Sequence, residues 1–118
     1  MKILDNCCGK PGHVKAKMPS DEEIRKQSEF LKALSDPARI RIIYALKNGE
    51  LCVCELMDLL KMPQTMVSHH CKILKFAQIV TDRKAGKWVN YSLADRRALS
   101  LLEILQTEGQ SYGDQANG

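Results

Sequence analysis

The sequence predicts a mainly α-helical domain of five helices with one β-hairpin. Capping residues followed by apolar residues at helical spacing recur from residue 20 onward. One stretch, residues 79–93, instead alternates β-forming residues around a central glycine. The length of 118 residues, with 44% hydrophobic and 27% charged residues, suits one globular domain with a single core.

The first two helices are predicted from their caps. Ser20 with Glu23 three residues later is a capping-box pattern, which predicts a helix over residues 21–34. Asp36 followed by Pro37 predicts a second helix start, and Asn48-Gly49 predicts its end. The residues expected to face inward are Ile24, Leu31, Leu34, Ile40, Ile43 and Leu46.

The third predicted helix opens with Cys52-Val53-Cys54 and ends before Pro63. Two thiolates this close can hold one soft ion, but residues i and i+2 of a helix do not face each other. A shared ion would therefore need a loose or distorted first turn. The alternative is that both cysteines pack as small apolar residues. The apolar positions of this helix are Leu51, Val53, Leu56, Leu59 and Leu60.

The fourth predicted helix, residues 64–76, faces inward with Val67, Cys71 and Leu74 and has no acid on its other face. Two helices joined by a short turn, the second with such a face, form a helix-turn-helix whose second helix enters the major groove of DNA. Its side chains could bond base edges or phosphates, or form an ordinary solvated face. The candidate DNA-binding residues are Gln64, Thr65, Ser68, His69 and Lys72.

The predicted hairpin carries cations on either side of its Ala85-Gly86 turn, at Arg83, Lys84 and Lys87. A basic hairpin directly after a helix-turn-helix is a wing, whose cations would lie along the phosphate backbone. As a solvated hairpin tip it would need no partner. The residues expected on its inner side are Val89, Tyr91 and Leu93.

The last predicted helix, residues 96–107 after a cap at Asp95, is rich in leucine. Leu101 and Ile104 widen its apolar stripe beyond what one face needs, which suggests a partner surface. Together with the first helix it is expected to form a two-fold homodimer, which suits a symmetric DNA site. The apolar positions of its main stripe are Leu99, Leu102 and Leu105.

The chain is thus expected to contain a winged helix-turn-helix domain over residues 20–108, between a flexible arm over 1–19 and a disordered tail over 109–118. The arm contains Cys7, Cys8 and His13, which are potential metal ligands. A flexible arm can bring a thiolate to a distant site because the entropy cost of loop closure grows slowly with length. Alternatively, residues 1–19 are only a disordered tail that binds no metal.

Composition sets the remaining expectations. Five cysteines, an odd number, suit reduced thiols better than disulfides, and the absence of a signal sequence or a long apolar run predicts a cytoplasmic protein without a membrane partner. The net charge of +4 permits nucleic acid as a partner. No nucleophile elbow, phosphate loop or Cys-x-x-Cys motif occurs, so we expect no enzyme and no organic cofactor.

The order of these parts resembles the ArsR/SmtB family of metal-sensing winged-helix repressors, over about residues 20–108. The resemblance is carried by residues 36–39 (Asp-Pro-Ala-Arg), the Cys-Val-Cys motif, residues 67–70 (Val-Ser-His-His) and the wing pattern from Gly86 to Leu93. It implies a homodimer that binds double-stranded operator DNA when metal-free and leaves it when an ion binds.

Branches of the family imply different sites. The arsenic-sensing branch has a third cysteine three residues after the pair, where this chain has Met57. The cadmium- and lead-sensing branch adds cysteines from an N-terminal arm, a part that Cys7 and Cys8 could take. The zinc-sensing branch uses Asp and His on the last helix, but here Asp95 is followed by two arginines. The cadmium and lead branch is therefore the nearest.

The resulting hypothesis is a repressor whose metal ligands are Cys7, Cys8, Cys52 and Cys54, with His13 in reserve. Thiolates favour Cd(II), Pb(II) or As(III), with Zn(II) possible. The effect would reach DNA from the cysteine pair through Pro63 into the recognition helix. Two alternatives stay open: a thiol redox-responsive DNA-binding regulator, and a winged-helix regulator that needs no metal. Cys71 is expected to be structural, and His70 a partly buried hydrogen-bonding residue.

Overall fold

The computed structural model describes Gly12 and residues 15–106. Within them the five helices are α1 (Asp21–Leu34), α2 (Pro37–Ala45, extended by a 3-10 turn over Leu46–Asn48), α3 (Val53–Leu60), α4 (Gln64–Phe76) and α5 (Arg97–Leu105). The strands are β1 (Leu51–Cys52), β2 (Val80–Ala85) and β3 (Trp88–Leu93). The expectations for Cys7, Cys8 and His13, and for the tail over 109–118, lie outside the described residues.

The first two helices begin where the caps predict. The Ser20 hydroxyl accepts a hydrogen bond from the Glu23 backbone N–H at 3.1 Å. Asp36 Oδ2 accepts from the backbone N–H groups of Ala38 and Arg39 at 2.9 and 3.2 Å. Both side chains satisfy backbone donors that have no partner within the helix, so these predictions are confirmed.

The prediction that Leu51 and Cys52 open a helix is wrong. They form strand β1, which pairs antiparallel with β3, with Leu51 opposite Tyr91 and Cys52 opposite Asn90. The predicted two-stranded wing therefore belongs to a three-stranded sheet of order β1-β3-β2. The pairing uses the edge of β3 that β2 leaves free, and β3 lies almost forty residues further along the chain. A two-residue strand has no periodicity of its own to reveal it.

The core lies between α2, α3, α4, α5 and the sheet. As predicted, Val67, Cys71 and Leu74 are buried on the inner face of α4. In the hairpin, Tyr91 is buried, while Val89 and Leu93 are half-buried against the core. The largest fully buried side chains are Ile42, Ile43, Leu46, Leu56, Val67, Cys71, Leu74, Ile79 and Val80.

Two residues predicted to face inward, Ile24 and Leu31 of α1, are 41% and 57% exposed in the single chain. Leu59 of α3 and Leu105 of α5, which the sequence marks as apolar positions, are 59% and 75% exposed. Helical spacing tells which residues share a face but not what covers that face. Because α1 buries only Ala33 and Leu34 near its end, most of its apolar face remains open.

Candidate functional site

Cys52 and Cys54 lie at the junction between the sheet and the helix-turn-helix. Cys52 ends β1 and is the N-cap of α3, with an extended backbone at φ −85° and ψ 164°. Cys54 is the second residue of α3, and the two Sγ atoms are 2.7 Å apart. Since Cys52 is not helical, the two thiols face each other without a distorted turn. The rule that residues i and i+2 of a helix do not face each other does not apply here, because Cys52 belongs to a strand.

The surroundings of Cys54 favour its protonated thiol. A hydrogen bond with Cys52, local desolvation and nearby negative charge, including that of Glu55, raise the pKa of Cys54 above the ordinary value. Glu55 is held in place because its Oε1 accepts a hydrogen bond from the Cys52 backbone N–H at 2.8 Å. An ion that binds Cys54 must therefore displace a proton.

Two thiols are too few ligands for a closed metal site. Within residues 15–106, no three or more histidine, cysteine or acidic side chains come together in a way that could hold an ion. Structural zinc sites have four ligands, and the pair supplies two. Cys7 and Cys8, which the sequence suggested for the rest, lie outside the described residues, so their part stays a prediction.

The outer face of α4 carries the residues predicted to bind DNA. Gln64, Thr65, His69 and Lys72 are exposed, and Ser68 is half-buried. α3 and α4 pack against each other and are joined by a turn in which Lys61 has left-handed backbone angles of φ 56° and ψ 47°. This is the geometry in which a second helix can be presented to a groove.

The three cations of the wing are exposed, but they differ in their surroundings. Arg83 is held by Glu50, with Nη2 to Oε1 at 2.6 Å and Nε to Oε2 at 3.1 Å. Lys84 and Lys87 flank the turn at Gly86, whose φ of +66° suits a residue without a side chain. A phosphate at Arg83 would have to compete with Glu50.

A partly buried link between α2 and α4 was not predicted from the sequence. Arg39 Nη1 lies 3.1 Å from His70 Nδ1, and Arg39 Nε donates to the Ala33 carbonyl oxygen at 2.7 Å. Burial opposes ionisation of the nearby Asp36, but backbone N–H donors and the guanidinium charge of Arg39 keep its pKa below the usual range. His70 is thus a partly buried hydrogen-bonding residue, as expected, and it ties α4 to α2.

Comparisons with known proteins agree with this architecture. Residues 36–82 match the family described as bacterial regulatory protein, arsR family. An uncharacterized HTH-type transcriptional regulator of Methanocaldococcus jannaschii is 42% identical over 85 residues, covering 71% of this chain and 96% of that protein. A cadmium resistance transcriptional regulatory protein CadC homolog of Staphylococcus aureus is 42% identical over 90 residues, covering 73% and 74% of the two chains.

An arsenical resistance operon repressor of Bacillus subtilis is also similar, with 38% identity over 82 residues, 69% of this chain and 78% of that protein. Among solved structures, reduced HlyU from Vibrio cholerae superposes with a TM-score of 0.66 and 29% identity, covering 72% of this chain and 90% of that one. A homodimeric winged helix-turn-helix domain from Mycobacterium bovis gives a TM-score of 0.65 at 23% identity, covering 86% and 93%, which shows a shared fold.

Proposed function

Because this chain belongs to the arsR family of bacterial regulatory proteins, we propose that it is a homodimeric repressor which a thiophilic ion releases from operator DNA. Membership of this family of transcriptional regulators confirms the prediction that the chain is not an enzyme. The regulator would act in the cytoplasm, where thiols stay reduced.

The observation that carries the proposal is that the Cys52 and Cys54 thiols lie in direct contact at the start of the helix-turn-helix. Thiolates select soft ions, which favours Cd(II) or Pb(II) and permits As(III) or Zn(II). Cys7 and Cys8 from the N-terminal arm would complete the ligand set. The similarity to a cadmium resistance regulator and to an arsenical resistance repressor supports a metal or metalloid effector.

The DNA-binding surface of the proposal combines the outer face of α4 with the wing. Gln64, Thr65, Ser68 and His69 would face base edges or sugar, because these side chains both donate and accept hydrogen bonds. The cations Lys72, Arg83, Lys84 and Lys87 would neutralise phosphates.

In the proposed dimer, α1 and α5 form the interface. Their apolar side chains are left uncovered in the single chain. Ile24, Leu31, Leu101, Ile104 and Leu105 are between 39% and 76% exposed. Large apolar side chains left exposed in this number are typical of a surface that a partner covers. A two-fold dimer would place two copies of α4 on a symmetric operator.

The ion must favour the conformation that does not bind DNA. A coupling free energy of about 1 to 3 kcal/mol is typical between two sites, and about 5.5 kcal/mol would carry the equilibrium from 1:99 to 99:1. Two routes lead from the cysteines to the DNA surface. One runs through α3 and Pro63 into α4, and the other runs through β1 into β3 of the wing.

The deciding experiment titrates Cd(II), Pb(II), As(III) and Zn(II) into the reduced dimer bound to operator DNA and follows release by fluorescence anisotropy. We expect Cys52→Ser/Cys54→Ser to bind DNA but to lose the response, and Cys7→Ser/Cys8→Ser to weaken it. Cys71→Ala is the matched control because it removes a thiol that is fully buried in the core and inaccessible to ions. Release by an oxidant but by none of these ions would instead support the redox alternative.

A further inference from the structure

His70 on the recognition helix lies between a cation and a carboxylate of α2. Its Nδ1 is 3.1 Å from Arg39 Nη1 and 3.8 Å from Asp36 Oδ2, and we call these three residues the His70 cluster. The side chain of His70 is only 12% exposed, whereas the preceding His69 is exposed on the outer face of α4. The proposed metal response assigns no role to the His70 cluster.

The contact with Arg39 requires a neutral His70. A guanidinium can only donate hydrogen bonds, so Nδ1 must accept, and an accepting Nδ1 belongs to a neutral imidazole with its proton on Nε2. Arg39 is itself held in place, because its Nε donates to the Ala33 carbonyl oxygen at 2.7 Å. The neutral ring therefore ties α4 to α2 and, through Arg39, to the end of α1.

Protonation of His70 exchanges its partner. Nδ1 becomes a donor that cannot accept from Arg39, and two positive groups then lie 3.1 Å apart. The carboxylate of Asp36 is the acceptor within reach, and despite burial its pKa is kept low by backbone N–H groups and the Arg39 charge. Because a charge-assisted bond from nitrogen to a carboxylate is about 2.7 to 2.9 Å long, the ring must move by about 1 Å.

The other elements that pack against α4 leave the ring to α2. In the described part of the chain, no charged side chain of α1, α3 or β2 lies within hydrogen-bond or ion-pair distance of the His70 nitrogens. On β2, Asp82 is paired with Lys75 at 3.0 Å instead. On α4 itself, the centroid of the His69 ring lies 5.7 Å away. Both charged groups that respond to the ring therefore belong to α2.

We propose that protonation of His70 lowers the affinity for operator DNA, because the imidazolium leaves Arg39 for Asp36 and thereby shifts α4 against α2. The shift reaches the DNA-binding face because His69 precedes His70 on the same helix. Histidine is the side chain that ordinarily changes its charge between about pH 5 and 8. The proton is then a second effector, and its site shares no residue with the cysteine pair. The inference rests on the proposed operator binding.

The test measures binding of the reduced, metal-free full chain to a fluorescein-labelled duplex that it selects from a random-sequence pool. His69→Gln is the reference chain, because protonation of the exposed His69 would strengthen phosphate contacts and oppose the effect of His70. In this reference, affinity should fall about fivefold or more between about pH 8 and 5.5, which is the lower limit usual for coupling between two sites.

Two further substitutions in the reference chain separate the roles of the ring and the carboxylate. Glutamine does not titrate and its side-chain oxygen can accept from Arg39, so His70→Gln should keep the affinity at high pH and abolish the loss on acidification. Asp36→Asn keeps a capping residue for α2 but removes the acceptor of the imidazolium, so the loss should move to lower pH. The same acid loss in His70→Gln as in the reference would overturn the inference.

NMR of the reference chain without DNA supplies a second readout. The backbone amides of Ala38 and Arg39, which bond Asp36 Oδ2, should shift with the same pH midpoint as the His70 imidazole and as the affinity loss. A ring that titrates without these amides would contradict the exchange of partners. Amides that respond in a chain that binds no duplex at any pH would refute the proposed operator binding, whereas binding that is intact and independent of pH would refute only the present inference.

Discussion

Cys52 lies directly opposite Asn90 in the antiparallel pairing of β1 with β3, so one of the two proposed sensor cysteines belongs to the same sheet as the wing. Asn90 is in turn opposite Arg83 on β2. Arg83 also forms an ion pair with Glu50, the residue directly before β1. A change at the cysteines can therefore reach the wing through backbone hydrogen bonds, without passing through α4.

Glu50→Gln should strengthen binding to operator DNA. The substitution frees Arg83 from its carboxylate partner and removes a negative charge near the wing. We expect little change in stability, because exposed ion pairs contribute little, and a salt dependence of binding steeper by about one ion. Glu29→Gln, which removes the same charge from an ion pair on α1, is the control. An equal gain in both variants would show a general charge effect instead.

Arg39→Lys should weaken the attachment of α4 to α2 and lower the free energy of unfolding. Lysine keeps the charge but cannot bond the Ala33 carbonyl and His70 together, as the guanidinium does. Loss of a hydrogen bond to a charged group costs about 1.5 to 3 kcal/mol, which urea unfolding would measure. Operator affinity should fall as well, because α4 loses its link to α2. Arg41→Lys, at an exposed position of α2, should change neither quantity.

Cys71 should be unreactive in the folded protein. Burial, with a smaller effect of the Asp82 charge, raises the pKa of its thiol to about 12. The thiolate, which is the reactive form, is therefore scarce at pH 8, and the side chain is also inaccessible. Alkylation followed by mass spectrometry should label the exposed Cys54 in the native state and Cys71 only in denaturant. Equal native labelling rates would contradict the buried position.

Metal affinity should increase with pH through the neutral range. The pKa of Cys54 is raised by its hydrogen bond with Cys52, by local desolvation and by nearby negative charge, so an ion must displace its proton at neutral pH. For each proton displaced, affinity falls about tenfold per pH unit below the thiol pKa. Cd(II) titrations at pH 6, 7 and 8, followed by thiolate absorption, measure the slope. Cys54→Ser should lower this slope by the equivalent of one proton. A Cd(II) affinity that does not change with pH would exclude thiolate binding.

Ile104→Asp should disrupt the dimer. Ile104 is 76% exposed on the uncovered face of α5, where a carboxylate buried in an interface would be costly. Sedimentation velocity should show monomers and operator affinity should drop sharply. Phe76→Asp, at a residue 87% exposed at the end of α4, is the control and should leave the dimer intact. Monomers in both variants, or in neither, would argue against the α1 and α5 interface.

Local signals were enough to predict most elements of the fold. The caps at Ser20 and Asp36 determine helix starts through hydrogen bonds to backbone groups two or three residues away. The spacing of Val67, Cys71 and Leu74 determines the inner face of α4, because four residues make about one helical turn. These interactions span few residues, so a local pattern records them. The exposed face of α4 and the basic wing are predictable for the same reason.

The candidate site depended on contacts that local patterns do not record. Arg39 and His70 are 31 residues apart, and Glu50 and Arg83 are 33 apart. Strand β1 exists only because β3 offers a free edge.

Local patterns were therefore sufficient to predict five helices, the hairpin, the inner face of α4 and the presence of a soft-ligand pair. The extended backbone of Cys52, its pairing with β3 and the ion pair of Arg83 with Glu50 became visible only in the folded chain. Helix caps and periodicity act within one or two turns. Strand pairing and the ion pairs of the wing instead depend on how distant segments pack, which no local pattern encodes.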